Sequence, residues 1–273
     1  MDNPPPVALT IAGSDSGGGA GIQADLKTFH AFGVFGCSAI TAVTAQNTLE
    51  VTAMHMVPEE IVREQIRAVA SDIPPDAVKT GMLASVALVE TVAQAIDEHR
   101  LPNYVLDPVM ISTSGHRLLD REAEDTIRRE LIPLAAVVTP NLHEARILTG
   151  LPVETPGDLA DAARAILDLG ARAALVKGGH LAGDEAVDLL LSEEGEYVWS
   201  RPRISTAAGH GTGCTLSAAL AAGLAAGRPL TDAAAAAVDF VARALAEAPG
   251  LGAGSGPINH FVKARPDEPE GSA

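Results

Sequence analysis

A glycine-rich segment with one cysteine is the part of this chain best suited to chemistry. The run Gly209–Cys214 reads GHGTGC and directly precedes an alanine-rich stretch that predicts a helix. Glycines at a helix N-terminus expose backbone N–H groups at the positive end of the helix dipole, where anions bind. Cys214 falls in the first turn, which biases a thiol towards the thiolate. The run predicts an anion hole beside a reactive cysteine; the alternative is an N-cap turn with an inert cysteine.

Polar side chains follow several short apolar runs. Lys177 ends the run 173–176 and precedes two glycines. A lysine at the buried end of a strand needs a counter-anion, and a phosphate is a suitable one. Asp107, Asn141 and Glu144 stand at or just after other strand ends, and their oxygens suit Mg²⁺ held through water and phosphate. Any one of these three residues alone is weak evidence for a metal site, because polar side chains at a protein surface are usually only solvated.

A second glycine cluster, residues 13–21, follows the first apolar run. A dinucleotide-binding fingerprint would need a third glycine where Ile22 stands, and a P-loop would need Lys-Ser or Lys-Thr where Gly19 and Ala20 stand. The cluster therefore predicts backbone that approaches a small ligand closely, with a flexible turn as the alternative.

Strands and helices alternate along most of the chain, which predicts an α/β fold with a mostly parallel sheet covered by helices on both faces. Ligands bind beyond the carboxyl ends of such strands, where the glycine-rich and polar segments fall. Residues 186–204 predict a β-hairpin around a glycine turn. Strands are predicted over 7–12, 38–45, 51–57, 77–80, 104–107, 135–138 and 173–176, and helices over 22–32, 58–71, 84–99, 120–130, 142–148, 156–169, 212–226 and 231–248.

The composition argues against several other classes of protein. The 273 residues carry 19 Lys and Arg against 35 Asp and Glu, a net charge of −16, which disfavours nucleic-acid and membrane-surface partners. Aromatic residues make up only 3%, too few for stacking platforms. Cys37 and Cys214 cannot form a disulfide framework, which indicates a reducing cytoplasm. We expect no signal peptide and no membrane span.

The motifs, taken in order, resemble those of the bacterial hydroxymethylpyrimidine/phosphomethylpyrimidine kinases, which belong to the ribokinase superfamily. The resemblance covers about residues 7–260, and its specificity lies in the ordered set, because single motifs are shared with related vitamin kinases. The motifs are ALTIAGSD at 8–15, GGAGIQAD at 18–25, TAQNT at 44–48, KTGML at 79–83, LDPVM at 106–110, SG at 114–115, TPNLHEA at 139–145, VKGGH at 176–180 and HGTGCT at 210–215.

This resemblance implies a ribokinase-like three-layer α/β/α fold with a small β-hairpin at the edge of the sheet. It implies one kinase domain over 1–264 and a disordered tail over 265–273. The implied activity is ATP- and Mg²⁺-dependent phosphorylation of 4-amino-5-hydroxymethyl-2-methylpyrimidine, and then of its monophosphate, in thiamine biosynthesis. A cytoplasmic homodimer is implied as well, since the hairpin has an edge to cover.

The resemblance also assigns residues to the pyrimidine. Carried over by position, Gln46 and Asp25 would hydrogen-bond the aminopyrimidine ring. Gly13, Met82 and Val109 would line the faces of that ring.

A second group of residues is assigned to the transferred phosphoryl group. Gly211, Thr212, Gly213 and Cys214 would supply the anion hole. Cys214 stands where most ribokinase relatives place an aspartate base, so it would accept the proton of the substrate hydroxyl.

The remaining assignments concern ATP and the metal. Lys177, Asn141, Glu144 and His210 would serve the nucleotide phosphates. Asp107 and Glu144 would serve Mg²⁺ through water or phosphate oxygens.

One segment departs from the family pattern. Relatives often carry Asn and Thr or Ser just before the HGTGC run, where this chain has Ala207, Ala208 and Gly209. The change predicts an altered affinity for the nucleotide, or an altered choice of nucleotide, rather than a lost reaction. Two rival functions stay open: a pyridoxal kinase of the same superfamily, and a non-catalytic pyrimidine-binding protein. The failed dinucleotide fingerprint disfavours an NAD oxidoreductase.

Overall fold

The computed structural model describes residues 4–110, 121–179, 181 and 183–264. The strands within these ranges belong to one sheet and agree closely with the runs predicted from the sequence. They are β1 (Val7–Asp15), β2 (Phe35–Gln46), β3 (Val51–Met56), β4 (Ala77–Thr80), β5 (Tyr104–Leu106), β6 (Val137–Val138), β7 (Ala173–Lys177), β8 (Glu185–Ser192) and β9 (Gly195–Pro202).

The sheet has the order β3-β2-β1-β4-β5-β6-β7-β8-β9. Strands β2, β1, β4, β5, β6 and β7 are parallel to their neighbours in that run. Antiparallel pairs complete the two ends, β3 against β2 and the hairpin β8–β9 against β7. The mostly parallel sheet and the edge hairpin are therefore confirmed. All parallel strands end at the same edge of the sheet, which brings their exits together.

Helices cover both faces of this sheet. They are α1 (Gly21–Ala31), α2 (Glu59–Asp72), α3 (Val86–Glu98), α4 (Arg121–Thr126), α5 (Leu142–Thr149), α6 (Pro156–Asp168), α7 (Thr212–Ala225) and α8 (Leu230–Ala246). Two apolar cores result: one contains residues of α2, α3, α5 and α6, such as Ile66 and Val89. The other contains residues of α1, α7 and α8, such as Phe29 and Phe240. Two helical layers around one sheet confirm the expected α/β/α arrangement.

The predicted helix 120–130 is the least regular element. After α4 the chain continues as a π-helical turn, Ile127–Leu131, and a 3₁₀ turn, Ile132–Leu134. Pro133 explains the change, because proline has no backbone N–H to continue an α-helix. Residue 120 and the predicted tail 265–273 lie outside the described residues.

Helices α7 and α8 approach each other unusually closely. A Cβ added to Gly223 of α7 would lie 2.7 Å from the Cβ of Ala233 in α8. Alanines and glycines make up most of both facing surfaces, which allows the two backbones to come together. No helix in the described part of the chain is long and apolar enough to cross a membrane.

Candidate active site

A cavity of about 1040 Å³ lies beyond the carboxyl ends of the parallel strands. It is bounded by the glycine segment after β1, the exits of β4, β5, β6 and β7, the N-terminus of α7 and the base of the β8–β9 hairpin. The sequence predicted that these strand exits converge on one rim. The structure brings all the predicted site residues to this cavity except Asp25: Gly13, Gln46, Met82, Asp107, Val109, Asn141, Glu144, Lys177, His210, Gly211, Thr212, Gly213 and Cys214.

The N-terminus of α7 faces the cavity with its backbone. Gly211 is the N-cap residue, with φ of 82°, and no side chain in the described part of the chain caps the helix. A Cβ at Gly211 would overlap the carbonyl oxygen of Gly19, so only glycine fits there. The uncapped first turn, which contains Gly213 and Cys214, can direct its N–H groups at an anion.

Cys214 has a less acidic thiol than its position in the helix suggests. Burial raises the pKa of Cys214 to about 11 and outweighs the opposing effect of Lys79, while Asp107 and Asp25 raise it further. The expected bias towards the thiolate is therefore wrong for the unliganded protein. The reason is that removal of water from the sulfur outweighs the helix N-terminus and the nearby ammonium group.

Asp25 lies outside the cavity, in a buried ion pair. Its carboxylate accepts hydrogen bonds from Nζ of Lys79 at 2.8 and 3.0 Å and from Oγ1 of Thr10 at 2.6 Å. The side chains of both Asp25 and Lys79 are fully buried. The expected contact between Asp25 and the pyrimidine is therefore contradicted, because both carboxylate oxygens are already bound inside the protein.

Lys79 is a cavity residue that the sequence reasoning missed. Burial lowers the pKa of Lys79, but attraction to Asp25, Cys214 and Asp107 outweighs burial and raises it overall. The ammonium group therefore stays charged. A signal was present, since a lysine inside a four-residue buried strand needs a buried partner.

Lys177 brings a second, largely buried cation to the N-terminus of α7. Its Nζ is 3.1 Å from Oδ1 of Asp107, and Oδ2 of Asp107 accepts a hydrogen bond from Oγ of Ser217 at 3.1 Å. Burial lowers the pKa of Lys177, but Asp107 and Glu144 outweigh burial and raise it. A Cβ on Gly213 would lie 3.1 Å from Nζ of Lys177, so the ammonium group borders the anion hole.

Asn141 and Glu144 form a capping box at the start of α5. The amide oxygen of Asn141 accepts the N–H of Glu144 at 2.9 Å, and Oε2 of Glu144 accepts the N–H of Asn141 at 2.8 Å. Burial raises the pKa of Glu144 to about 7, with Lys177 acting against it. The amide oxygen of Asn141 is used by the cap. Its amide nitrogen is therefore the group that can donate a hydrogen bond to a phosphate.

The oxygen donors of the cavity fit a hydrated Mg²⁺ better than a cage of protein ligands. In the described ranges no three His, Cys, Asp or Glu side chains are grouped to hold a metal. Asp107 already contacts Lys177 and Ser217, so its expected role towards Mg²⁺ through water or phosphate oxygens stays a prediction. Glu144 and Asp107 nevertheless flank Lys177 at the cavity, an arrangement that suits a cation carried in by phosphate oxygens and water.

We expect Glu144→Gln to stabilise the substrate-free protein at neutral and alkaline pH. The folded-state pKa of Glu144, about 7, lies above its ordinary value of 4.5, so the stability that depends on the protonated form is lost as the pH rises through 7. The glutamine oxygen keeps the cap, and the gain at pH 8 should be on the order of 2 kcal/mol. Urea unfolding at pH 5 and pH 8 measures it. The exposed Glu60→Gln control should show no such pH-dependent gain, and an equal effect in both variants would contradict the assignment.

The glycine segment after β1 is organised by Asp15. Its carboxylate accepts the N–H groups of Gly17, Gly19 and Ala20 at 2.8–3.0 Å and contacts Nε2 of His210 at 2.9 Å. His210 was expected at the ATP phosphates. The structure places its ring against Asp15 and Gln46, so a contact between His210 and the ATP phosphates stays a prediction.

The part of this cavity next to Gln46 is called the slot. Gly13, Met82 and Val109, which the resemblance assigned to the faces of the ring, also line the cavity. A Cβ on Gly13 would lie 2.7 Å from Cε of Met82, so the methionine closes over the glycine. The apolar walls and the single amide suit a small planar ring.

The opposite side of the cavity is bounded by the β8–β9 hairpin and the helices α7 and α8. Arg201 pairs with Asp188, and Arg203 donates hydrogen bonds to the carbonyl oxygens of Gly183 and Glu185. Apolar side chains complete this wall: Leu216, Val241 and Leu245. None of these residues was predicted from the sequence. They stand in strands and helices with an ordinary pattern of buried and exposed positions, which gives no sign of a binding site.

Comparison with known proteins places this architecture among the vitamin kinases. The chain is 51% identical over 256 residues to the hydroxymethylpyrimidine/phosphomethylpyrimidine kinase of Streptomyces coelicolor, covering 94% of each chain. It superposes on the pyridoxal kinase of Bacillus subtilis, solved with ADP, with a TM-score of 0.87 and 40% identity, covering 93% of this chain and 97% of that one. For a phosphomethylpyrimidine kinase from Clostridium difficile the TM-score is 0.79 and the identity 44%, with 88% and 99% covered.

Family membership follows from the extent of these matches. The family model described as phosphomethylpyrimidine kinase matches residues 15–259, which include the glycine segment, the strand exits and the start of α7. The resemblance inferred from the ordered motifs is confirmed over nearly the whole chain. The chain therefore belongs to the phosphomethylpyrimidine kinase family and is a kinase.

Proposed function

We propose that this kinase transfers the γ-phosphoryl group of ATP to the hydroxymethyl group of 4-amino-5-hydroxymethyl-2-methylpyrimidine and then phosphorylates the monophosphate, in thiamine biosynthesis. The observation that carries the proposal is that one cavity joins the Gln46 slot to the N-terminus of α7 and Lys177. An amide offers a paired donor and acceptor, which complement the amino group and ring nitrogen of an aminopyrimidine. The names of the relatives agree.

The chemistry follows from charge and position. Phosphoryl transfer depends on alignment of the reacting oxygens and on neutralisation of developing charge. The N–H groups of Gly213 and Cys214 and the ammonium group of Lys177 supply that neutralisation in a site where burial strengthens it. The thiol of Cys214 first loses its own proton to solvent, and the thiolate then accepts the hydroxyl proton as the new bond forms. Glu144 and Asp107 would hold Mg²⁺ through water and phosphate oxygens, and the ion would supply neutralisation of phosphate charge.

The nucleotide occupies the opposite side of the cavity in this proposal. The apolar wall formed by Leu216, Val241 and Leu245 suits the flat adenine ring. Ala207, Ala208 and Gly209 border the same side and offer only backbone groups and two methyl groups. Their lack of polar side chains favours a weaker hold on the nucleotide than in relatives that carry Asn and Thr there.

Pyridoxal phosphorylation is the second candidate, favoured by the likeness to solved pyridoxal kinases. A non-catalytic binding protein is disfavoured because Lys177, Glu144 and the α7 N-terminus are all present at the cavity. Incubation of the purified protein with Mg·ATP and either ring, followed by product chromatography, separates these functions. We expect pyrimidine monophosphate followed by diphosphate. Turnover of pyridoxal alone, or of neither ring, would contradict the proposal.

Gln46→Ala should weaken use of hydroxymethylpyrimidine far more than use of ATP. The substitution leaves two buried polar groups of the ring unpaired, which costs about 1–3 kcal/mol, or roughly 5- to 150-fold in kcat/KM. Steady-state kinetics with each substrate varied in turn measures the two effects. Equal losses for both substrates would remove Gln46 from the pyrimidine site.

Removal of divalent metal should abolish turnover reversibly. The oxygen donors at Glu144 and Asp107 and the absence of a thiolate or imidazole cluster in the described ranges favour Mg²⁺ that arrives with the nucleotide. Dialysis against a chelator followed by added Mg²⁺ should restore full activity. Stoichiometric zinc that copurifies and is required for turnover would be the contrary result.

We also propose a cytoplasmic homodimer. Both edge strands of the sheet, β3 and β9, have unpaired backbone groups that a second copy could cover. Analytical ultracentrifugation of the purified protein tests this proposal, and a monomer at micromolar concentration would refute it.

A further inference from the structure

The side-chain amide of Gln46 lies between two hydrogen-bonding neighbours. Its nitrogen is 3.2 Å from Nε2 of His210, and its oxygen is 3.4 Å from Oγ1 of Thr44. The same Nε2 of His210 is 2.9 Å from Oδ2 of Asp15. The positions of the protons on His210 and Thr44 therefore decide which way the amide must face.

Asp15 settles the proton on His210. Burial raises the pKa of Asp15, but His210 and the N–H groups of Ala20 and Gly17 outweigh burial and lower it below the usual value. An ionised carboxylate can only accept hydrogen bonds. The proton between Asp15 and His210 therefore belongs to Nε2 of the ring. A protonated Nε2 has no free lone pair, so it cannot accept a hydrogen bond from the amide nitrogen of Gln46.

Thr44 settles the other end of the amide. Its hydroxyl donates to the carbonyl oxygen of Ser14 at 2.8 Å. That carbonyl has no proton to give, so the single hydroxyl proton of Thr44 is used there. Towards Gln46, Oγ1 of Thr44 offers only a lone pair.

Both neighbours thus require the same orientation. The protonated Nε2 of His210 excludes the amide nitrogen and favours the amide oxygen opposite it, and the lone pair of Thr44 requires the amide nitrogen. The two ends of a glutamine amide are assigned from such partners, and a half-turn of the amide satisfies both. We propose that His210, held by Asp15, is a positioning residue that fixes the Gln46 amide with its oxygen towards the ring of His210 and its nitrogen towards Thr44.

The fixed amide has a consequence for the choice of substrate, which rests on the proposed function. One lone pair of the oxygen and one N–H of the nitrogen remain for the cavity, in a set order. A ring with an amino group next to a ring nitrogen matches that order, whereas a ring without the amino donor leaves the oxygen unpaired. Gly19 permits this arrangement, because a Cβ there would lie 2.6 Å from Cδ2 of His210.

The tautomer of His210 tests the proposal without any substrate. Protein labelled with ¹⁵N-histidine gives long-range ¹H–¹⁵N spectra that distinguish a protonated Nε2 from a protonated Nδ1. The signal that disappears in His210→Gln identifies the residue. We expect a protonated Nε2 in the unliganded protein. A ring protonated only at Nδ1 would overturn the assigned orientation.

A double-mutant cycle tests the consequence for binding. Calorimetry without ATP should show that His210→Ala weakens hydroxymethylpyrimidine about tenfold. In a Gln46→Ala background the same change should cost less than about twofold, since His210 acts through that amide. His210→Gln, which can donate an amide N–H, should recover part of the affinity, and ATP binding should hold within about twofold in each variant.

Two results of the cycle would overturn the proposal. In the first, the fold-losses of pyrimidine affinity in His210→Ala and Gln46→Ala multiply in the double variant, which would show that the two residues act independently. In the second, His210→Ala weakens ATP as much as it weakens hydroxymethylpyrimidine. Failure of the wild-type protein to phosphorylate the pyrimidine would instead refute the proposed function. The tautomer measurement would still decide the orientation of the amide in that case.

Discussion

Cys214→Ser should lower kcat by at least about a hundredfold, because general-base help contributes about 10²–10⁴-fold and a serine hydroxyl is a far weaker acid than a thiol. The backbone N–H of residue 214 survives the substitution, so the anion hole stays intact. Cys214→Asp supplies an acceptor that is ionised at neutral pH and should retain more activity than Cys214→Ser. Single-turnover kinetics with ATP and hydroxymethylpyrimidine measures both variants.

The pH dependence gives an independent check on the same residue. The pKa of Cys214 is about 11 in the unliganded protein, so the thiolate fraction grows as the pH rises from 7 to 10. Wild-type kcat/KM should rise over that interval, whereas Cys214→Asp should stay level. Alkylation of Cys214 should accelerate in parallel and be slowed by bound pyrimidine. Near-normal turnover in Cys214→Ala would show that only the backbone matters.

Lys79→Met should destabilise the folded protein by about 3–5 kcal/mol, the cost of leaving one member of a buried ion pair without its partner. Asp25 would retain only the hydroxyl of Thr10 as a side-chain donor, in a fully buried position. Total stabilities are about 5–15 kcal/mol, so the loss should be plain in urea unfolding.

The exposed pair Arg67–Glu64 provides a matched control. Its side chains are more than half exposed, so solvent screens the pair and Arg67→Met should leave the urea midpoint nearly unchanged. The double variant Asp25→Leu, Lys79→Met should be more stable than Lys79→Met alone, because it removes the stranded carboxylate. Equal losses for Lys79→Met and Arg67→Met would show that the buried pair has no special weight.

The elements of this fold were predictable because hydrophobic periodicity is a local property. Helix α6, for example, begins at Pro156 and ends at Asp168, against a predicted span of 156–169. Proline at the first helical position and buried leucine, alanine and isoleucine at helical spacing are visible in the sequence itself. The π-helical turn Ile127–Leu131 was not predicted, because the residues before Pro133 follow a regular helical pattern.

The location of the site, at the carboxyl ends of the parallel strands, was predictable from the sequence. The contacts between its side chains were much less so. Asp25 and Lys79 are 54 positions apart, and no local pattern pairs them. Asp15 and His210 are 195 positions apart, so their contact was not predicted either. The acidity of Cys214 depends on how much water the fold removes, which the position of a residue in a helix does not report.

The close contact between Gly223 and Ala233 has a mechanical consequence for the reaction. Two backbones that touch through hydrogens and methyl groups leave α7 no room to move sideways towards α8. We expect this contact to hold α7 rigidly near its C-terminal end, so that little energy is spent on reorganising the dipoles at its N-terminus during the transfer. A larger side chain at position 233 would push α8 and α7 apart and tilt the N-terminus of α7. Such a substitution, although it touches no ligand, would weaken the stabilisation of the transferred phosphoryl group by α7 and leave the slot for the ring unchanged.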